Sequence, residues 1–361
     1  MKEDESPAAN AALGKTVFLT GGSGLLGTAL LESIRAKNVI ALYNRSPVKG
    51  ARVETLQGDL CKPLLGLSER NFESLAGRID IIIHSASVTR FGVSDARIFE
   101  TNVKGTGEIV RLARQAKARL VYISTAFVLS AASDLAPISM YEESKRQAEA
   151  LVRTLDDDFV IVRPSIIIGD SRTGQVSVYQ GLHDVMGSMI DRSLPVLPTT
   201  PGMLCDFVAQ DWVADAIWAA AHHPKPLQEL WITSGSQAMS IEAIVAIAVR
   251  LGSDHGFEGA PPRIVPYETL QRLFIPVFLE SLPNRMKRRF QANLKMARYM
   301  NQRAVLPSSE AYLQTAFGLP PRESPETVLV RNMEQWCLHR RTLGGCPAPQ
   351  NGGRVAEIGV S

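Results

Sequence analysis

Up to about residue 170, short runs of continuously apolar residues alternate with longer stretches whose apolar positions recur every three or four residues. Continuous runs predict strands covered on both faces, and the second pattern predicts helices with one buried stripe. Strands are predicted near 16–20, 38–43, 52–56, 80–83, 119–123, 159–163 and 229–233. Helices are predicted over 24–36, 95–117, 141–154, 211–222 and 240–251. Strand followed by helix, repeated, marks βαβ units, so the class is α/β with a doubly wound parallel sheet. Beyond residue 170 the alternation loosens and prolines accumulate at 195, 198, 201, 261 and 262. That part predicts a smaller, mostly helical lobe over the carboxyl edge of the sheet, while Leu230-Trp231-Ile232-Thr233 returns to it. The expected division is a flexible leader at 1–13, a sheet domain at 14–235 with part of the lobe inserted around 170–210, a C-terminal lobe at 236–340, and a disordered tail at 341–361.

Composition narrows the class. The chain has 361 residues, 45% hydrophobic and 21% charged, enough for an ordinary buried core. A net charge of +3 is too small to argue for nucleic acid. The four cysteines, Cys61, Cys205, Cys337 and Cys346, lack metal-ligand spacing, as expected of a reduced, cytoplasmic protein without structural zinc. The first residues are acidic and polar, unlike a signal peptide, and no apolar run approaches the roughly 20 residues that span a bilayer. The six histidines, including His84, His222 and His223, also lack metal spacing, and no metal is expected.

Two strings carry chemistry. Thr20-Gly21-Gly22-Ser23-Gly24-Leu25-Leu26-Gly27 follows the first apolar run and opens the first helix. Gly21 suits a tight strand-to-helix turn, Gly24 allows backbone to approach a pyrophosphate, and Gly27 lets the helix sit close to the strand. The helix amino terminus would then offer free N–H groups to the phosphates. This is the loop of a Rossmann-type sheet. The second predicted strand ends Tyr43-Asn44-Arg45 without the acid expected of an NAD site, and the guanidinium matches a 2′-phosphate, so NADPH is the expected cofactor. Arg45 as a solvated loop residue remains the alternative. Asp59, in Gly58-Asp59-Leu60, suits either an adenine amino group or a turn.

The second string is Ser124-Thr125 followed by Tyr141-Glu142-Glu143-Ser144-Lys145. Residues four apart share a helix face, so Lys145 is expected beside the Tyr141 phenol, lowering its pKa and making it a general acid. Thr125 lies just past a strand end, where its hydroxyl can hold a carbonyl oxygen that becomes an oxyanion.

With these strings in this order, the chain resembles the extended branch of the short-chain dehydrogenase/reductase superfamily over roughly residues 14–235. His84-Ser85-Ala86-Ser87, Thr101-Asn102 through Thr106, and Arg163-Pro164-Ser165-Ile166 agree with it. The resemblance implies a catalytic set of Thr125, Tyr141 and Lys145, with Lys145 also holding the nicotinamide ribose. It implies a cofactor wall of Gly21, Ser23, Gly24, Leu25, Leu26, Gly27, Asn44, Arg45, Asp59, Leu60, Ser85, Ala86, Pro164 and Ile166, supported by Asn102 and Ser124. More narrowly, Gly58 to Glu69, Ile83 to Phe91, Val121 to Val128 and Ile168 to Gly174 are similar to the thioester reductase and fatty acyl-CoA reductase group, the male-sterility type. That group reduces acyl thioesters on coenzyme A or a carrier protein, to an aldehyde and in some cases an alcohol. Two departures stand out: Ser87 replaces the usual alanine, and the stretch from Ser46 to Ala51 is short.

Leu270, Leu273, Phe274, Val277, Phe278 and Leu282 recur at helical spacing around Pro276 and read as lobe core, an acyl channel or a membrane-facing patch. The basic run Arg285, Lys287, Arg288, Arg289, Lys295 and Arg298 reads as a solvated face or a dock for an acidic carrier or coenzyme A phosphates. A monomer or homodimer is expected. The competing functions are a sugar-nucleotide epimerase or dehydratase, a ketone reductase, and a non-catalytic dinucleotide sensor.

Overall fold

The computed structural model describes residues 14–266 and 298–342, apart from 49, 51, 90–92, 133–138, 157 and 226, together with 269, 270, 272, 287, 294 and 296. The Leu273–Leu279 segment and most of the basic run lie outside the described residues.

Seven strands form one parallel sheet: β1 (Thr16–Thr20), β2 (Asn38–Tyr43), β3 (Val53–Gln57), β4 (Ile81–His84), β5 (Arg119–Ile123), β6 (Phe159–Pro164) and, late in the chain, β11 (Glu229–Ile232). Their spatial order is β11-β6-β5-β4-β1-β2-β3, every neighbouring pair parallel. The order reverses between β1 and β4, which opens a crevice at their carboxyl ends.

Alternation along each strand divides the apolar residues between two helical layers. Val17, Leu19, Ile81, Ile83 and Val121 pack against α1 (Leu25–Ser33). The same layer takes α7 (Gln210–His222). Phe18, Ile40, Ile82, Leu120 and Tyr122 face α2 (Glu69–Ala76), α4 (Gly105–Ala116) and α5 (Met140–Val152). The predicted helix over 95–117 is three pieces: α3 (Asp95–Phe99), one π turn (Glu100–Lys104), and α4. The first helix ends at Ser33 rather than 36.

The lobe has its own core. It combines β7 (Ile166–Ile168), α6 (Leu182–Ile190), β8 (Val196–Pro198), β9 (Leu204–Cys205), β10 (Phe207–Ala209), β12 (Met239–Ser240), α8 (Ile241–Asp254) and β13 (Arg263–Val265). The C-terminal helix α10 (Pro325–Thr342) returns to pack on α6, while α9 (Glu310–Phe317) joins the α1/α7 layer through Leu313. Ala126 and Phe127, just past β5, belong to the lobe's core, so the two bodies meet at that strand end.

Candidate active site

The sheet's register builds the floor of the crevice. Thr20 pairs with His84, and His84 with Tyr122, in one row across β1, β4 and β5. All three are buried. His84 Nδ1 lies 2.7 Å from Thr20 Oγ1, and Nε2 lies 3.1 Å from Thr106 Oγ1. Thr20 Oγ1 in turn accepts from Ala86 N at 3.2 Å, fixing the loop after β4 against the end of β1.

The glycine loop sits on this floor. Gly21 has φ +78°, and a Cβ there would lie 2.6 Å from Ala86 N. A Cβ on Gly27 would lie 2.0 Å from Gly21 O, so only glycine lets α1 approach the turn. Gly24 caps α1 with no side-chain cap, leaving the first-turn N–H groups directed to the crevice beside exposed Ser23. Leu25 and Leu26 are buried, so their backbone rather than their side chains is available to a ligand. Uncapped N–H donors over a cradle that a Cβ would fill suit a pyrophosphate. Asn44 and Arg45 are exposed just beyond β2 on the same edge. Asp59 already accepts from Cys61 N at 3.0 Å through one carboxylate oxygen, the geometry of a turn, and its second oxygen remains for a ligand. Leu60 abuts Gly105, whose Cβ would lie 3.2 Å from it. Ser85 and Ala86 are half-buried under the loop, and Pro164 and Ile166 flank the end of β6.

The other wall is α5. Ser139 and Glu142 close a capping box at its start, worth about 1 kcal/mol. Asn102, 1% exposed, uses both ends of its amide: Oδ1 accepts from Val88 N at 2.8 Å and Ser87 Oγ at 3.1 Å, while Nδ2 donates to Val88 O and Ser144 Oγ. Ser144 Oγ then donates to Tyr141 O at 2.7 Å. The π turn therefore delivers an amide that fixes the first turn of α5.

Thr125 lies close enough to the Tyr141 phenol to lower its pKa, which brings together two groups 16 positions apart in sequence (141 − 125). Lys145 does not act on the phenol as its spacing suggested. Its Nζ donates to Ile123 O at 2.7 Å and lies 4.9 Å from the Tyr122 ring centre. Burial and then Tyr299 push the Tyr141 phenol above its ordinary pKa, against the lowering contact with Thr125. The expected depression is thus absent here, because burial, Tyr299 and Glu142 all raise the phenol's pKa and only Thr125 lowers it. Burial pulls the Lys145 amine down to about 7, with Glu149 opposing.

Sequence reasoning missed Tyr299. It is buried, its ring meets Phe127 edge-on at 4.8 Å, and its hydroxyl lies 3.4 Å from Ser139 Oγ. No local spacing announces a contact across 160 positions. A cavity of about 240 Å³ beside Trp212, Pro320 and Arg322 includes none of the predicted site residues.

No helix among the described residues is long and apolar enough to cross a membrane. A family profile described as male sterility protein, an NAD-binding domain, matches residues 35–139 and 131–217, just over half of the chain. The hybrid PKS-NRPS synthetase LUC5 of Fusarium sp is 29% identical over 265 residues, covering 64% of this chain and only 6% of the synthetase. Among solved structures, the terminal R domain of the myxalamid PKS-NRPS pathway superposes with a TM-score of 0.73 at 24% identity, covering 93% of both chains. The reductase (R) domain of a nonribosomal peptide synthetase from Mycobacterium tuberculosis gives 0.64 at 21% identity, covering 90% of this chain and 92% of that one. The chain therefore belongs to the male sterility protein family of NAD-binding domains.

Proposed function

We propose that the protein is an NADPH-dependent reductase of acyl thioesters, with the acyl group carried on a carrier protein or coenzyme A and released as an aldehyde. The observation that carries this reading is the approach of Thr125 to the Tyr141 phenol past the carboxyl end of β5, on the same sheet edge as the glycine loop. The relatives' printed descriptions, a PKS-NRPS synthetase and R domains, support the substrate class.

The backbone from Gly21 to Gly27 would hold the pyrophosphate, Arg45 the 2′-phosphate, Ser85, Ala86, Pro164 and Ile166 the walls, and Lys145 the nicotinamide ribose. The bound cofactor supplies the hydride. Thr125 and Tyr141 each have a hydroxyl proton to direct at the thioester oxygen as charge gathers there. Tyr141 then gives its proton to that oxygen, and the resulting hemithioacetal breaks its carbon–sulfur bond, its hydroxyl proton passing to the departing sulfur, to leave an aldehyde and a free thiol. A phenol pushed up by burial remains protonated at neutral pH, as a donor must, and an approaching oxyanion strengthens its hydrogen bond. Asn102 and Ser144 hold the Tyr141 turn in place throughout. Among the described residues no cysteine is placed as a nucleophile: Cys205 and Cys337 are buried, the Cys205 thiol is pushed up by burial, and Cys61 lies at the Asp59 turn.

The test is NADPH consumption at 340 nm with an acyl-pantetheine thioester, with product identification. Aldehyde and free thiol in equal amounts are expected. Tyr141→Phe should lose at least about 100-fold in kcat while still binding NADPH. NADPH binding without turnover of any thioester, or full activity in Tyr141→Phe, rejects the reading. Turnover of a ketone or a nucleotide sugar instead selects the rival reductase or epimerase function.

A further inference from the structure

Behind Thr125 and Lys145 lies a buried ion-pair cluster that the proposed chemistry leaves unused. Glu149, one turn beyond Lys145 on α5, is 3% exposed, and Arg163 near the end of β6 is 4% exposed. Arg163 grips Glu149 with two parallel bonds, Nε to Oε1 at 2.8 Å and Nη2 to Oε2 at 2.7 Å. Glu149 Oε1 also accepts from Ser124 Oγ at 2.6 Å, and Oε2 accepts from Arg153 Nη2 at 3.1 Å. The remaining Arg163 nitrogen, Nη1, donates to Glu229 Oε2 on β11 at 2.6 Å, and the guanidinium lies 4.5 Å from the Trp231 ring centre.

Four donor contacts fill the carboxylate's acceptor capacity. They join three elements where each enters the site: β5 at the residue before Thr125, α5 one turn from Lys145, and β6 at the residue before Pro164. Burying such a pair costs several kcal/mol per ion by general estimate, and apolar residues of similar volume are often at least as stable. Stability alone is therefore a poor reason for the cluster, whereas a bidentate pair fixes direction.

We propose that Glu149 and Arg163 are positioning residues: they lock the Thr125 strand end to the Lys145 helix, and Glu149 is the countercharge of Lys145. The inference rests on the proposed role of Thr125, Tyr141 and Lys145. Lys145 faces Tyr141 and Glu149 on its own helix, Tyr122 on β5 and His84 on β4, with Arg163 on β6 behind Glu149. His84 is held neutral by burial, and burial raises the Tyr122 phenol, so Glu149 is the anion opposing Lys145's desolvation. Removing it favours the neutral amine.

The experiment measures NADPH binding to the full chain by nucleotide fluorescence across neutral to alkaline pH, beside thioester reduction. Binding that needs the Lys145 ammonium weakens as pH rises through its pKa. In Glu149→Gln this limb should move acidward by about one unit, weakening binding about tenfold on the limb. Ser124→Ala keeps the charge pair but cuts the tie to β5. It should leave the limb in place and lower kcat several-fold, with KM for NADPH little changed. A folded Glu149→Gln whose limb matches wild type overturns the proposal. If that variant does not fold, an unchanged kcat in Ser124→Ala overturns it. Wild type that binds NADPH with the expected limb but reduces no thioester rejects the proposed activity, while the limb shift still tests the positioning.

Discussion

His84 owes its state to the row in which the sheet places it. Thr106 Oγ1 gives its proton to Asn102 O at 2.6 Å, so toward His84 it can only accept. This assigns the imidazole proton to Nε2 and leaves Nδ1 to accept from Thr20. Burial, and then the Lys145 charge, pull its pKa down to about 3. The unfolded chain, with a histidine pKa near 6.5, therefore binds the proton first. His84's contribution to stability is full above about pH 6.5 and declines as pH falls toward 3, at up to about 1.4 kcal/mol per pH unit. Because glutamine does not titrate, the gap between wild type and His84→Gln should narrow as pH falls from 7 to about 4 in urea melts. Parallel curves would remove this account. That His84 closes the fourth apolar run was legible in the sequence, but its tautomer and pKa were not, because both depend on Thr20 and Thr106 from other elements.

At the scale of elements, α10 shows how a segment far along the chain holds a loop beside the sheet. Ser324 caps it, accepting from Thr327 N at 3.1 Å, and Pro325 occupies its first turn. Val328, Leu329, Met333, Trp336 and Cys337 form its buried stripe, with Asn332 among them. Asn332 Oδ1 accepts from Gly169 N and Nδ2 donates to Asp170 O at 3.3 Å, so one side chain stands in for a strand partner at the end of β7. Asn332→Ala would leave a buried N–H without its acceptor, costing about 1–3 kcal/mol. A lower denaturation midpoint is expected, with faster amide exchange confined first to residues 169–174; unchanged exchange there would contradict it. The sequence reading assigns no helix here, although Ser324, Pro325 and the apolar spacing were visible, because a buried asparagine interrupts the stripe. The π turn was equally hidden: its residues continue a helical pattern, and the contacts of Asn102 that accompany the wider turn are made to other elements.

Across the whole molecule, Tyr299 joins the lobe to the sheet at the edge beside Thr125. It contacts Phe127, two residues beyond Thr125, and Ser139, the cap of α5. Tyr299→Phe removes only the hydroxyl and should lower stability by about 1 kcal/mol. Tyr299→Ala opens a hole in the shared core, with an expected loss of about 3–5 kcal/mol. If the lobe completes the site through this residue, kcat/KM for the thioester should fall much further in the alanine variant than in phenylalanine, at temperatures where both remain folded. Equal kinetics in the two variants would show that Tyr299 serves the core alone.

The chain's own pattern determined the parallel sheet, the glycine turn and the order of the hydroxyl, phenol and amine, because strand and helix periodicities and the need for a Cβ-free turn are local properties. Tertiary structure alone decided that Lys145 turns to the Ile123 carbonyl, that Asp59 closes a turn, that Glu149 meets Arg163 and Ser124, and that Tyr299 reaches Phe127. Those outcomes depend on which polar groups are buried together, and burial is a property of the packed molecule.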